Sequence, residues 1–303
     1  MIIPTGGFPG GLSPILFENG IPVLAEMDEQ PFCMDVSDAI SRVTTNTAGF
    51  IVTHLAGRIQ PDLEKLRRYC TKEGLFLMED ASHAHGASIA GNKAGSLVDA
   101  ACFSFYPTKI KTSLANGMIT TDSKELAELA RSLRHHGQGG PRNEFNYLAS
   151  DWCMSEIHAA VGACQLQELD EQVAHRNQVV QWYRDRLGHL DWLMIPEHGE
   201  EIVHAYYKLP TLLHSDIDRD ELQQKLEVKH GIQNGNIYYP PCHLQPVHQE
   251  RFGGTIGLFP IAEKALARQF CPPVHASITK EDVDHVVKIL TARVQECWKP
   301  DRS

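Results

Sequence analysis

The sequence predicts an α/β fold built on a mostly parallel sheet that is covered on both faces. Short apolar runs rich in β-branched and aromatic residues alternate with helical stretches through the first half of the chain, and this alternation is typical of parallel sheets. The chain has 303 residues, of which 42% are hydrophobic and 22% charged. That length and composition suffice for a large core and a second, smaller domain.

The first half contains the segments from which the sheet is expected to form. The predicted strands are residues 21–28, 49–57, 75–80, 101–107 and 117–122. The segment 61–74 is predicted to be a helix because Pro61 lies in its first turn and Gly74 at its end. The segment 123–137 is a second predicted helix, with Ser123 as its cap and Gly137 at its close.

From Met154 the pattern becomes helical for more than thirty residues. Residues 154–187 carry apolar residues at helical spacing, with Ser155 as a cap and no proline, so we expect one long helix that links two domains. The predicted division is a large domain at 1–187 and a small domain at 188–303. In the small domain we expect a strand at 204–213, helices at 218–231 and 278–298, and a Pro/Gly-rich stretch at 239–260. Thr279 and Asp282 form a capping box.

Charge and cysteine content narrow the function. The formal net charge of -10 argues against nucleic acid or an anionic membrane as the main partner, because both require basic surface. The eight cysteines are scattered without paired spacing, which favours reduced thiols, several of them buried, over disulfides or a zinc site. The first residues lack a signal-peptide pattern, and no apolar run approaches the ~20 residues of a membrane span. We therefore expect a cytoplasmic protein.

Two side chains are site candidates from their position alone. Asp80 and Lys109 each lie at or just beyond the predicted end of a strand, and ligand-binding residues collect at the carboxyl ends of parallel strands. His83 and His85 are two residues apart, but no third ligand is evident, so no metal is predicted. His85 is expected to be a packed histidine. The glycine-rich opening near Phe8 does not match the G-x-G-x-x-G pattern of a nicotinamide site.

Three segments resemble one known family. MEDASHAHG (78–86), GSLVDAA (95–101) and CFSFYPTK (102–109) are similar, in order and separation, to the ED-A-x-[QH]-A-x-G and FSF-x-x-x-K motifs of the DegT/DnrJ/EryC1/StrS sugar aminotransferases, which depend on pyridoxal 5′-phosphate (PLP). The resemblance extends over almost the whole chain. It implies the aspartate-aminotransferase type I fold, with a large α/β domain, a smaller α/β domain and a homodimer whose sites lie at the interface.

The resemblance also assigns a role to each candidate. It implies that Lys109 carries the cofactor and moves the proton, and that Asp80 faces the pyridine nitrogen and keeps it protonated. His83 would contact the ring oxygen of the cofactor, Ser104 its phosphate, and Phe8 would stack on its ring. Each has a structural alternative: a solvated lysine, a helix N-cap for Asp80, a buried strand serine, or core packing for Phe8.

The resemblance implies a transamination. An amino acid, glutamate or glutamine, would donate its amino group to a keto-sugar or keto-cyclitol, often linked to a nucleotide. A sister group that dehydrates sugars has histidine in place of the lysine, and Lys109 argues against it. Tyr238, Tyr239 and His243 could line the substrate entrance, although simple packing explains them equally well.

Three parts of the family pattern are different here. The family's opening helix, Gly-Thr-Ala loop and first strand have no counterpart; Gly-Glu-Gly-Gly reads Leu114 to Gly117; and Asn-Tyr-Arg-Met reads Asp151 to Met154. A misassigned start, a fragment, a separate polypeptide that supplies the missing piece, or a non-catalytic paralogue would each explain the opening. The alternative function is therefore a weak or inactive paralogue that acts as a partner or regulatory subunit.

Overall fold

The computed structural model describes residues 1–28, 32–140 and 144–299. Its strands are β1 Ile2–Pro4, β2 Val23–Ala25, β3 Gly49–Thr53, β4 Phe76–Asp80, β5 Ser88–Ile89, β6 Asn92–Lys93, β7 Ala100–Ser104, β8 Gly117–Thr120, β9 Leu193–Met194, β10 Ile202–Val203, β11 Thr211–Leu213 and β12 Gln269–Phe270. Its α-helices are α1 Ser13–Phe17, α2 Val36–Ser41, α3 Leu63–Glu73, α4 Lys124–Leu133, α5 Glu156–Leu166, α6 Leu169–Leu187, α7 Arg219–His230, α8 Pro246–Phe252, α9 Pro260–Arg268 and α10 Lys280–Val294.

The main sheet has the strand order β2-β1-β3-β4-β7-β8. Its first five strands are parallel, and β8 runs antiparallel to β7. Thr53 pairs with Asp80 and Asp80 with Cys102, so the carboxyl ends of β3, β4 and β7 lie side by side. The predicted mostly parallel sheet is confirmed, and its register fixes where residues that follow these strands can meet.

The outer strand β8 pairs only with β7 within the described part of the chain. Met118 and Ile119 are 46% and 52% exposed, although apolar strand residues are normally covered. The adjoining helix α4 buries none of its residues, although Leu126, Leu129 and Leu133 recur at helical spacing. An open groove of about 580 Å³ lies beside it and is lined in part by Phe76, Leu126 and Leu129.

Two small antiparallel sheets accompany the main one. β10, β5 and β6 form the first, and β12, β11 and β9 form the second. The end of α6, with Val179, Tyr183 and Leu187, packs into a hydrophobic core that is otherwise made by residues from 192 onward. A division of the chain at 187/188 stays a prediction, and these contacts associate the second half of α6 with the C-terminal residues.

The expected single helix at 154–187 is wrong, because the structure has two helices, α5 and α6, that are separated by a turn at Gln167 and Glu168. Glu168 has φ -102° and ψ 10°, outside the helical range. The next residues, Asp170 and Glu171, place negative charge in the first turn of α6, which is favourable at a helix N-terminus. α5 buries only Gly162, whereas α6 buries six residues, so the two helices have different packing partners.

The expected strand at 204–213 is largely wrong, because only Thr211–Leu213 is strand. Tyr206 has φ +46°, in the left-handed region, and Pro210 lacks the N–H that a ladder requires. The Ala205 N–H instead donates to the Gly57 carbonyl, which ties this segment to the loop after β3. The sequence also failed to reveal α8 in the Pro/Gly-rich stretch, where Pro246 starts the helix.

Helix ends follow the predicted chemistry. Gly74 ends α3 with φ +66°, and the Ser123 hydroxyl accepts a hydrogen bond from the Leu126 N–H. The capping box of α10 is confirmed, because Thr279 and Asp282 each accept a bond from the backbone N–H of the other. Several cysteines are buried, as expected. None of the described helices is long and apolar enough to cross a membrane.

Helix α6 is fastened to the C-terminal residues by buried polar contacts. The Arg176 guanidinium donates to the carbonyls of Tyr206 and Val274, and the Asn177 amide donates to the His204 carbonyl. Burial lowers the pKa of Arg176 to about 10, which leaves it charged at neutral pH. These bonds fix the segment around residue 206 against the helix that connects the two halves of the chain.

Candidate active site

Asp80 and Lys109, which the sequence placed at strand ends, lie at the carboxyl edge of the sheet together with Ser104 and Phe8, which the family resemblance singled out. Asp80 is the last residue of β4 and Ser104 the last of β7, while Phe8 and Lys109 follow β1 and β7 by a few residues. Asp80 and Lys109 are close enough at this edge for the carboxylate to act electrostatically on the amine. Parallel register explains the meeting, because each strand delivers its next residues to the same edge.

Lys109 is half-buried and forms no ion pair among the described residues. Its Nζ lies 5.0 Å from the centre of the Tyr207 ring. Burial lowers the pKa of the Lys109 amine, and the Asp80 carboxylate partly opposes that shift. A lysine with these surroundings has more neutral amine near pH 7 than a solvated lysine, which is what a nucleophile or a base requires.

Asp80 caps a turn rather than a helix. Its Oδ1 accepts a hydrogen bond from the Ser82 N–H at 3.1 Å, and no helix follows it. The helix N-cap interpretation is therefore wrong. The carboxylate is half-buried at the sheet edge and retains capacity for a further partner.

His83 is buried beside Lys109 and is held in one tautomer. The Ala56 N–H donates to its Nδ1 at 3.3 Å, so in the neutral ring the proton is on Nε2, which lies 3.0 Å from the Tyr238 hydroxyl. Burial, followed by the charge of Lys109, lowers the pKa of His83 well below its usual value. The neutral ring stacks on Tyr207 with centroids 4.2 Å apart.

His85 is a packed histidine, as expected. The centre of its ring lies 5.3 Å from the ring centres of Phe103 and Phe105, and among the described residues neither of its nitrogens has a partner at normal hydrogen-bond geometry. Burial, followed by the charge of Lys109, lowers the pKa of His85 to about 4. His85 therefore stays neutral at physiological pH.

Phe8 and Ser104 both present free surface at the sheet edge. Phe8 is 57% exposed, which contradicts core packing, and its ring centre is 5.0 Å from that of Tyr238. Ser104 is half-buried, and its hydroxyl accepts a long hydrogen bond of 3.4 Å from the Tyr106 N–H. Both side chains can therefore contact a ligand at this edge.

A buried pair lies directly behind the carboxylate of Asp80. Glu79 and His54 are both fully buried, with His54 Nε2 2.8 Å from Glu79 Oε2. The Gln60 N–H donates to His54 Nδ1, so Nε2 carries the proton and donates to Glu79. The carboxylate also accepts from the N–H groups of Gly95 and Leu97. This network holds the end of β4 against the loop before β7.

The three candidates for the substrate entrance, Tyr238, Tyr239 and His243, have different environments. Tyr238 lies at the site, between Phe8 and His83, and has φ +51°, a strained value of the kind that occurs at functional sites. Tyr239 is half exposed and lies over the Arg219 guanidinium. His243 is fully buried between the Thr5 hydroxyl and the Glu263 carboxylate, which is a packing role.

The loop after Lys109 shows why the family pattern has glycines there. Leu114 and Asn116 have φ of +71° and +80°, values that favour glycine. Asp151 is exposed, its side chain accepts a hydrogen bond from the Cys153 N–H, and its backbone forms an isolated antiparallel β-bridge with His135. That bond, followed by the charges of His136 and His135, lowers the pKa of Asp151, so it is an anion.

The sequence missed Tyr207, which contacts both Lys109 and His83. Its hydroxyl lies 3.1 Å from the Thr108 hydroxyl, so the aromatic ring closes one side of the site. The only available signal was the Tyr-Tyr-Lys run, and placing it in a strand hid its position. Tyr207 arrives from the C-terminal half because residues 205–208 bond to Ala56 and Gly57.

The residues present fit PLP. An amine of lowered pKa, a carboxylate near it, a hydroxyl and an exposed aromatic face meet at one sheet edge, and PLP requires these groups. Fold and site together define a PLP-dependent aminotransferase of the type I fold. More narrowly, the chain belongs to the DegT/DnrJ/EryC1/StrS aminotransferase family, whose profile matches residues 1–291.

Named relatives agree with this membership. GDP-perosamine synthase of Caulobacter vibrioides is 30% identical over 297 residues, which cover 96% of this chain and 78% of that protein. The UDP-N-acetyl-3-dehydro-α-D-glucosamine 3-aminotransferase of Acidithiobacillus ferrooxidans is 27% identical over 294 residues, covering 96% and 76%. A Streptococcus pneumoniae chain described as a sugar aminotransferase, solved in its PLP form, has a TM-score of 0.91 at 21% identity, covering 98% and 81%.

Proposed function

We propose that this protein transfers an amino group from glutamate or glutamine to a keto-sugar or keto-cyclitol in the cytoplasm. The observation that carries the proposal is the juxtaposition of the half-buried Lys109 amine with the Asp80 carboxylate at the sheet edge. Relatives that act on GDP-linked and UDP-linked sugars support a nucleotide-linked acceptor.

PLP, when bound, supplies an electron sink for the carbon from which a proton is removed. Lys109 would hold the cofactor and then move the proton between the α-carbon of the substrate and the cofactor, and burial favours its neutral form. Asp80 would keep the pyridine nitrogen protonated through opposite charge. The environments of the two side chains support these roles, which the family resemblance implies.

Three further residues would complete the cofactor site. Phe8 would stack on the ring with its exposed face, and the Ser104 hydroxyl would bind the phosphate. His83 is neutral, and its Nε2–H, directed at the Tyr238 hydroxyl, would donate to the ring oxygen of the cofactor. A neutral donor stabilises a phenolic oxygen without adding a charge that competes with Lys109.

An absorbance titration of the purified protein with PLP tests the proposal. We expect a visible band that is lost in Lys109→Ala and retained in Lys264→Ala, a control at an exposed lysine of α9. Adding L-glutamate should then convert the visible band to one at shorter wavelength. A wild-type protein that shows no band at saturating PLP would refute the enzymatic role.

That negative result would favour the second candidate, a non-catalytic partner or regulatory subunit. The observation in its favour is the anionic Asp151, where the family pattern has Asn and the resemblance implies a phosphate contact in the neighbouring subunit. An anion there repels phosphate. Asp151→Asn should tighten PLP binding several-fold if the enzyme role holds, and should leave a non-binding protein unchanged.

We further propose that the protein forms a homodimer through the apolar surface formed by residues 145–157. Leu148, Trp152 and Ile157 are 104%, 65% and 74% exposed, and contiguous apolar surface of this kind marks interfaces. Light scattering after gel filtration should give a dimer mass for the wild type. Ile157→Asp should give a monomer, with Val228→Asp, another exposed apolar position, as the control.

We also propose that a separate polypeptide covers the open edge of β8 and the groove beside α4. The open hydrogen-bonding edge suits a strand, the groove suits a helix, and the relatives contain about a fifth to a quarter of their length that this chain does not match. Co-purification of a short chain from the native host, lost on Ile119→Lys, tests this. Retention of that chain by the variant would refute the docking position.

A further inference from the structure

The segment that delivers Tyr207 to the site also delivers a second amine. The Lys208 Nζ lies 5.7 Å from the centre of the Tyr207 ring, and Lys109 Nζ lies 5.0 Å from the same centre. The Lys208 N–H donates to the Ala56 carbonyl, and the neighbouring Ala56 N–H donates to His83. The backbone therefore fixes the origin of Lys208 relative to the proposed cofactor site.

Lys208 is half-buried and forms no ion pair among the described residues. Elsewhere in the chain, lysines such as Lys93 and Lys225 do pair with carboxylates. The contact with the Tyr207 ring is weak compensation for the hydration that a half-buried ammonium gives up. Binding an anion therefore lowers the free energy of such a group.

The space around the Lys208 amine is kept open by Gly235. A Cβ at position 235 would lie 3.3 Å from Lys208 Nζ, tighter than most real contacts. Gly235 is held in place by two backbone hydrogen bonds with Cys271, each 3.1 Å long. The Lys208 amine therefore lies near the Tyr207 ring on one side and near the backbone of Gly235, which has no side chain to crowd it, on the other.

The charge of Lys208 extends into the site. It is among the causes that lower the pKa of His83, after burial, Lys109 and His85. The Lys208 ammonium, which forms no ion pair among the described residues, lies near the same aromatic ring as Lys109 and adds positive potential there in a chain of net charge -10. An anionic substrate approaching Lys109 meets that potential.

We propose that Lys208 is an anion-binding residue that recognises the negatively charged group of the substrate at this site. The inference rests on the proposed aminotransferase function. Two sources share the chemistry: a carboxylate of the amino donor and the diphosphate of a nucleotide-linked acceptor. Lys208 can donate charge-assisted hydrogen bonds to either, and its amine already lies near the Tyr207 ring that faces Lys109.

Lys208→Gln tests the proposal, with Lys264→Gln as the matched control at an exposed, unpaired lysine. PLP titration comes first, and the variant should bind the cofactor within about twofold of wild type. Single-turnover conversion by L-glutamate and calorimetric binding of GDP and UDP then separate the two sources. Loss of one charge-assisted bond should weaken binding of the relevant anion roughly 10- to 100-fold.

A weakened response to glutamate alone assigns Lys208 to the donor carboxylate, and weakened nucleotide binding alone assigns it to the diphosphate. Gly235→Ala should weaken the same anion by a smaller factor, because the added methyl displaces the amine without removing it. Unchanged affinity for glutamate, GDP and UDP in Lys208→Gln overturns the proposal. The binding of GDP does not require the cofactor. A wild-type protein that binds GDP but not PLP would therefore contradict the proposed aminotransferase function and leave the role of Lys208 to be decided by the nucleotide measurement.

Discussion

Removing the carboxylate of Glu79 should destabilise the protein more than removing any exposed acid, because this carboxylate is fully buried and saturated with donors. It accepts from His54 Nε2 at 2.8 Å, from the Gly95 N–H at 2.8 Å and from the Leu97 N–H at 3.2 Å. Glu79→Ala leaves all three donors buried without a partner. At about 1–3 kcal/mol for each unsatisfied donor, the loss is roughly 3–9 kcal/mol.

Glu79→Gln removes the negative charge of the side chain while keeping nearly the same shape. The amide oxygen can keep the two bonds at the Oε2 position, while the amide nitrogen then faces the Leu97 N–H, donor against donor. One lost bond and two bonds without charge assistance should cost roughly 3–5 kcal/mol. With ~2.1 cal/mol/K of unfolding entropy per residue, a chain of 303 residues should lose ~5–8 °C in melting temperature.

The assay is thermal unfolding followed by far-ultraviolet circular dichroism, with urea titration as a second measure. Glu200→Ala, at an exposed turn, is the control and should change the melting temperature by less than about 1 °C. If Glu79→Gln melts within 1 °C of wild type, the buried network does not stabilise β4 and the reasoning fails.

Three other perturbations have definite expectations. Between pH 6.5 and about 4, His85 binds a proton in the unfolded chain but not in the folded one, so the free energy of unfolding should fall as the pH drops through that window. His85→Gln should remove up to ~3 kcal/mol of this loss, measured by urea titrations at pH 7 and pH 4.5. The same loss of stability between the two pH values in variant and wild type would contradict this expectation. Thr279→Ala should cost about 1 kcal/mol through the lost cap of α10, measured by urea titration against Ser277→Ala, which should be neutral. His243→Leu leaves the Thr5 hydroxyl and one Glu263 bond unsatisfied and should lower stability by about 2–3 kcal/mol; an unchanged urea midpoint would show that the buried triad carries no net energy.

Local chemistry made the sheet and its edge predictable from the sequence. Strands β3, β4 and β7 are short apolar runs, and the residues that follow the strands of a parallel sheet lie at one edge. The sequence alone therefore identifies Asp80 and Lys109 as candidates for the same site. Gly74 and Thr279 ended or began helices as their chemistry requires. In these places local preference and tertiary packing agree.

Contacts between distant parts of the chain were not predictable. Tyr207 and Lys208 reach the site because the N–H groups of Ala205 and Lys208 bond to the carbonyls of Gly57 and Ala56, some 150 residues earlier in the chain. No periodicity in the sequence encodes that pairing. The break between α5 and α6 was missed because Gln167 and Glu168 are good helix formers and only tertiary packing separates the two helices. For His243 the sequence left an entrance role and simple packing open, and its burial against Thr5 and Glu263 decides for packing.

The bonds from Arg176 and Asn177 to the carbonyls of Tyr206, Val274 and His204 have a consequence for how ligands come and go. They brace the segment that carries Tyr207 and Lys208 against α6, and the N–H groups of Ala205 and Lys208 bond the same segment to the carbonyls of Gly57 and Ala56 in the first half. A hinge motion between the two halves would therefore have to break those backbone bonds before the cleft widened. Exchange of substrate is therefore expected to proceed by movement of exposed side chains at the site, such as Phe8, while the scattering profile of the whole molecule stays the same with and without ligand.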